Sequence, residues 1–246
     1  MLNWVMRHRR LLGISLLSLL LIAHIPARFL TLVLPQHMGL SGVSGTLWSG
    51  QAARSWVQIG DRTLLLGQFN WQITPWKVLW STPVQLQALW GSQRFETDLG
   101  VTVTGRIGLW DTLVSIDAEL LKAFLPIYLG GEVTAQFSEL TFEEAVPVSM
   151  SGQASLRQMV WTATSGNVPL GTYEVTVSGD KDIAGRVATV EGALSLSGVV
   201  ALSGTDYRVD IRGSGPAALD EAFRRSVGMV AELGQDGFHI LLEGQL

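Results

Sequence analysis

The chain has 246 residues, room for one large domain or two small ones. Hydrophobic residues make up 47% and charged residues 15%, with a net charge of −4, which speaks against a disordered chain and a basic nucleic-acid-binding surface. Cysteine is absent, which excludes disulfides, zinc–thiolate sites and thiol catalysis, and 27 glycines favour a turn-rich β protein over a helical one.

The first 60 residues carry five arginines and no acid, whereas residues 61–246 sum to −9. Two regions of opposite sign suggest two environments. Leu11 to Ala27 has no formally charged side chain and follows Arg7, Arg9 and Arg10. Such a run is just long enough to cross a bilayer, and the basic cluster before it places residues 1–10 in the cytoplasm. The expectation is therefore a single transmembrane anchor over 11–27, a juxtamembrane linker over 28–38 and a body outside the cytoplasm over 39–246. A cleaved signal peptide is the competing reading. Its cleavage site wants small residues at −3 and −1, and cuts after Ala23 or Ala27 would put Leu21 or Ile25 at −3.

From Gly39 onward, short segments alternate polar and apolar residues. They include Glu132 to Phe137, Thr172 to Val177, Ala193 to Ser197 and Tyr207 to Arg212. A period of two marks strands with one buried and one wetted face, and it favours antiparallel pairing. Turn signals recur every ~8–12 residues, the spacing of an all-β fold. They are Gly91-Ser92, Gly130-Gly131, Ser165-Gly166-Asn167, Gly179-Asp180 and Gly213-Ser214-Gly215. Helical spacing is confined to two later places: Asp117 to Leu125, capped by Asp117 and stopped by Pro126, and Ala217 to Leu233, opened by Pro216 and ended by Gly234. The predicted architecture is mainly β: a curved antiparallel sheet, or two stacked sheets, with two short helices. Weak sequence echoes roughly one hundred residues apart suggest a duplicated unit with halves 39–130 and 131–246; chance recurrence among Gly-bounded strands is the alternative.

The residues offer little chemistry. A nucleophilic serine needs a base, and His239 is the one histidine within the folded region, on an expected strand. No phosphate-binding glycine motif and no Gly-x-Ser-x-Gly turn occurs. Glu143-Glu144 and Asp180-Lys181-Asp182 read as solvated turn acids rather than a pair facing across a cleft. No catalytic residue, metal site or cofactor is expected. Tryptophan is the anomaly: seven of nine lie between residues 48 and 110. Core filling is the simpler account. A membrane or partner contact is the other, with Trp48, Trp76 and Trp80 as candidates. Trp76 and Trp80 flank Lys77 and would share one face of a helical turn after Pro75. Trp48 is expected to bury its ring beside the first sheet, with Gly45 allowing a tight turn.

The segments Gly42 to Ala52 (GVSGTLWSGQA), Gly67 to Trp76 (GQFNWQITPW), QMVWTA around Trp161 and LGTYEV around Gly171 resemble the N protein of bacterial type II secretion systems. The resemblance also takes in LSGTDYRVDIRGSGP and the closing GFHILLEGQL. It implies a short cytoplasmic start, one inner-membrane span and a periplasmic body in a Gram-negative cell. It further implies a non-enzymatic role in moving folded exoproteins across the outer membrane. The implied partners are other inner-membrane secretion components, the lipid bilayer and exoprotein cargo, with no nucleic acid. A weaker likeness in style to AsmA-like envelope proteins implies the alternative of a lipid-handling groove.

Overall fold

The computed structural model describes residues 14–32, 34–59, 62–79, 82–102, 104–123, 128–144, 146–163 and 166–245. The chain divides into two compact units, residues 1–90 and 91–246. Both are built on antiparallel strands, as the alternating sequence predicts.

The first unit begins with a helix, α1, over residues 14–23. A 3-10 helix, Ala27–Leu32, follows. Four strands then pair each with the next: β1 (Met38–Gly45), β2 (Ser49–Ile59), β3 (Arg62–Ile73) and β4 (Val84–Trp90). A second 3-10 helix, Pro75–Leu79, lies between β3 and β4. Strand β3 shows why this sequence makes a one-sided sheet. Phe69, Trp71 and Ile73 point to the core, while Gln68, Asn70 and Gln72 fall on the other face. Trp71, Ala52 and Ala27 form the buried centre, with Leu40, Val43, Leu86 and Leu30 packed around them.

The second unit is also a meander. Its strands are β5 (Gln93–Val101), β6 (Ile107–Asp117), β7 (Leu129–Glu143), β8 (Val146–Ala163) and β9 (Gly166–Asp180). After them come β10 (Asp182–Glu191), β11 (Ser195–Ser203), β12 (Asp206–Ser214), the two-residue β13 (Glu232–Leu233) and β14 (Gly237–Gln245). Each pairs with its sequence neighbour until β12, which pairs with β14, leaving β13 on the outer side. Between β12 and β13 lie a 3-10 helix, Pro216–Leu219, and a helix α2, Glu221–Val227.

Several boundaries differ from the sequence expectation. Gly130-Gly131 is not a turn but sits inside β7, where the register shifts between Gly130 and Glu132. Gly131, at φ 126°, absorbs a bulge and keeps the strand going. The segment after Asp117 closes as a 3-10 helix over Ala118–Ala123 rather than an α-helix. The expected long helix over 217–233 is split. Asp220 sits between the 3-10 and α segments with φ −60° and ψ 123°, and its carboxylate accepts from the Phe223 amide at 2.8 Å. It is the N-cap of α2, an acid at a helix start being favoured there. Gly228 ends α2, six residues before Gly234.

The apolar run expected as an anchor over 11–27 is helical through residue 23, and residues 11–13 lie outside the described residues. Among the described residues no helix is long and apolar enough to cross a membrane. Beyond the helix, Pro26 forms a β-bridge to Thr46 and Ala27 is 1% exposed, so residues at the end of the expected span belong to the folded body.

Candidate functional site

Two places organise the side chains that the sequence singles out, one in each unit. In the first unit the centre is the β1–β2 hairpin, Gly45-Thr46-Leu47-Trp48. Gly45 has φ 95°, and a Cβ there would meet Ser49 O at 2.5 Å and Gly50 Cα at 2.8 Å, so the tight turn requires glycine. The Thr46 amide donates to Ser49 O at 2.9 Å, closing the turn. This turn holds the end of α1. The Leu47 amide donates to Ile25 O at 2.8 Å, and the Trp48 indole Nε1 donates to Ile22 O at 2.8 Å. Trp71 fixes the turn from beneath, its Nε1 donating to Leu47 O at 3.1 Å.

Trp48 is thus half-buried, and its polar edge ties α1 to the sheet. Trp76 lies in the 3-10 helix after β3 with 69% of its surface exposed. Trp80 lies outside the described residues, as do Arg7, Arg9 and Arg10. The segment that carries Trp76 and Lys77 is a 3-10 helix, Pro75–Leu79.

The structure also shows a feature that the sequence reading missed. Gln51, Gln68, Asn70, Gln72, Gln85 and Gln87 line an open concavity of about 530 Å³ on one face of β2, β3 and β4. The signal was present as amides two residues apart on successive strands, a spacing that puts them on one face.

In the second unit the buried core sits at one end of the sheet. Trp161 on β8 meets Phe223 of α2 edge-on, with ring centroids 5.5 Å apart, and Phe223 meets Phe238 of β14 at 6.0 Å. Tyr173 is 3% exposed, and its hydroxyl donates to Leu194 O at 2.9 Å. Burial pushes its pKa up to about 12. The apolar face runs on past this core. Val175, Val177, Val187, Val200, Val209 and Ile211 share it and are half-buried, outside the capped cluster. The opposite face carries exposed Glu174, Thr176, Arg186 and Arg208.

His239 is a paired residue rather than a free base. Its Nε2 donates to Asp210 Oδ1 at 2.9 Å across the β12–β14 pair. That hydrogen bond, helped by the charges of His239, Arg212 and Arg208, holds the Asp210 carboxyl below its usual value of 3.8. A depressed carboxylate stabilises the fold above its unfolded pKa, and this support is lost as pH falls through the folded value. We expect a carboxyl-carbon NMR titration to give a midpoint for Asp210 below 3.8. His239→Gln should move it back upward; an unmoved midpoint would show that the ring contact does not set it.

The chain matches known proteins over both of these places. The family model described as Type II secretion system (T2SS), protein N matches residues 36–240. A similar protein is the Type II secretion system protein N of Vibrio cholerae serotype O1 (strain ATCC 39315 / El Tor Inaba N16961). It is 28% identical over 192 residues, covering 74% of this chain and 73% of its own. No solved structure matches. The family match runs from just before β1 into β14 and takes in the Gly45–Trp48 hairpin, Trp161 and Tyr173 alike. A match over so much of the folded body leaves one assignment: the chain belongs to the type II secretion system protein N family.

Proposed function

We propose that the protein is a non-enzymatic, single-pass component of the inner membrane that supports export of folded exoproteins across the outer membrane of a Gram-negative cell. Its N-terminus is cytoplasmic, set by Arg7, Arg9 and Arg10, and both sheet units are periplasmic. It acts through protein–protein contacts with other inner-membrane secretion components, and cargo is a further partner. The observation that carries this reading is the family match through both units. The sequence supports it as well: an apolar run follows a basic cluster, and no nucleotide motif supplies energy. A chain without an energy source acts by holding others or guiding their assembly.

The test is deletion of the gene, followed by assay of secreted proteins. Folded exoproteins should accumulate in the periplasm. Replacing the apolar run by an unrelated helix of similar length should largely restore secretion, because the contacts lie in the periplasmic body. Normal secretion in the deletion strain would sink the reading.

One observation favours a second reading. The half-buried valine face of the second unit, from Val175 to Val209, has the one-sided apolar character that an acyl chain requires. Under this alternative the protein is a lipid-handling groove of the envelope. Deletion would then alter lipid composition or detergent sensitivity while secretion stayed normal.

A further inference from the structure

Helix α1 is apolar except for Ser15 and Ser18 and is exposed along its whole length. Ile14, Leu16, Leu17, Leu19, Leu21 and Ile22 are each between 53% and 66% exposed. A helix with this surface is stable in an apolar medium, not in water. The chain leaving its C-terminal end is not a free linker. Within a few residues it is tied three times to the β1–β2 hairpin: by the Ile22 O–Trp48 Nε1 bond, by the Ile25 O–Leu47 amide bond and by the Pro26–Thr46 bridge. Trp48 also reaches the other way, its carbonyl accepting from the Ile73 amide at 2.6 Å. One residue therefore joins the exit of α1 to the exit of β3.

The ends that meet here form one rim of the first sheet: the close of β1 and β3 and the opening of β2 and β4. The 3-10 helix Pro75–Leu79 follows the close of β3, and the other, Ala27–Leu32, starts one residue past the Pro26–Thr46 bridge, where the Phe29 amide donates to Pro26 O at 3.1 Å. Both turn a large apolar side chain outward here: Phe29 is 47% exposed and Trp76 69%. Trp76 is three residues past Ile73, so its backbone lies within about 11 Å of that residue. The charges on the rim have one sign. The Arg28 guanidinium carbon stands 5.9 Å over the Phe29 ring, and Lys77 follows Trp76. After the apolar helix, the first unit carries Arg28, Arg54, Arg62 and Lys77 against a single acid, Asp61. The second unit is the reverse, with ten basic and twenty acidic residues.

We infer that this rim is a membrane seat: Trp76 and Phe29 enter the interface of an anionic bilayer while Arg28 and Lys77 meet its phosphates. Aromatic rings and cationic side chains are the residue types that the headgroup layer favours. The lipid surface is the occupant because the apolar helix leads directly into the rim. The three ties allow no slack between them, and the positive balance of the unit's residues after the helix complements anionic headgroups. The first sheet then stands on the bilayer at a fixed height instead of swinging from a flexible tether. This rests on the reading of α1 as part of a membrane anchor.

The absence of cysteine makes the test clean. The full chain carrying Trp76→Cys, and separately Gln58→Cys, is nitroxide-labelled and reconstituted into phosphatidylcholine–phosphatidylglycerol vesicles. Gln58 is an exposed residue near the opposite end of β2. Collision rates with oxygen and with a water-soluble nickel chelate are then measured. The oxygen-to-nickel ratio at position 76 should exceed that at position 58 several-fold, and it should fall when phosphatidylglycerol is left out. Equal, water-like ratios at both positions would overturn the seat. They would do so equally if the rim were instead a docking surface for a protein. Flotation of the same vesicles reads the anchor separately: protein that floats with water-like labels loses the seat alone, and protein that does not float loses the anchor with it.

Discussion

Trp161→Ala should be the most damaging single substitution in the second unit, lowering its stability by ~3–5 kcal/mol. The indole is 5% exposed and stands edge-on to Phe223, which in turn packs on Phe238. Removing it deletes a large apolar surface and leaves a cavity between the β8 end and α2. It also removes an aromatic pair worth ~0.5–1.5 kcal/mol beyond area. Domains are commonly stable by about 5–15 kcal/mol, so the loss is a large share of the total. Helix α2 is only seven residues long and docks through Phe223 and Val227, so it should come away first. Trypsin reports this directly, because α2 carries Arg224 and Arg225. The variant should be cleaved there at a denaturant concentration at which the wild type resists. Unchanged cleavage and unchanged unfolding would show that the cluster does not hold the helix.

Gly171→Ala should cost on the order of 3 kcal/mol, for a reason that volume does not capture. Gly171 has φ 142° and Gly192 has φ 144°, and the two backbones lie against each other. A Cβ on Gly171 would fall on Glu191 O and stand 2.8 Å from Gly192 Cα. Those are backbone atoms of a strand end and turn that also carry the Leu194 amide to Leu170 O at 2.9 Å, and they cannot rotate aside. Gly166→Ala is the matched control. Its φ is 132°, but nothing lies within 4 Å of the added carbon, so it suffers only the backbone term. The difference between the two midpoints in urea measures the close approach. Equal midpoints would show that the Gly171–Gly192 contact yields easily.

The two substitutions mark how differently parts of this protein could be read. Strand positions were legible because a half-buried strand repeats every two residues, and Tyr173, Val175 and Val177 declare their face by alternation with Glu174 and Thr176. The family was legible too, through Gly42–Ala52 and its companions, and the match over residues 36–240 bears that out. The two helical segments were harder. Their apolar spacing is real, but Asp220 takes an extended conformation to cap α2, and that breaks the expected helix in two. Gly130-Gly131 misled because glycine serves turns and bulges alike, and only the partner strand, with Arg157 opposite Glu132, decides which.

The sequence by itself determined the class of fold, the antiparallel pairing, the apolar character of residues 14–23 and the excess of positive over negative charge before residue 91. These are properties of composition and of short periodicities, and they survive whatever the rest of the chain does. The tertiary structure alone decided what Trp48 does. Its ring was expected beside the sheet, and its neighbours in sequence are Leu47 and Ser49. Its hydrogen bond, however, goes to Ile22, 26 residues away. No local pattern encodes that contact. A donor in a hairpin finds an open carbonyl at a helix end only after the sheet has brought the two together, because the last carbonyls of a helix have no partner within it. The same holds for Trp161 and Phe223, 62 positions apart in sequence and 5.5 Å apart in space, where burial of two faces could be satisfied only by each other.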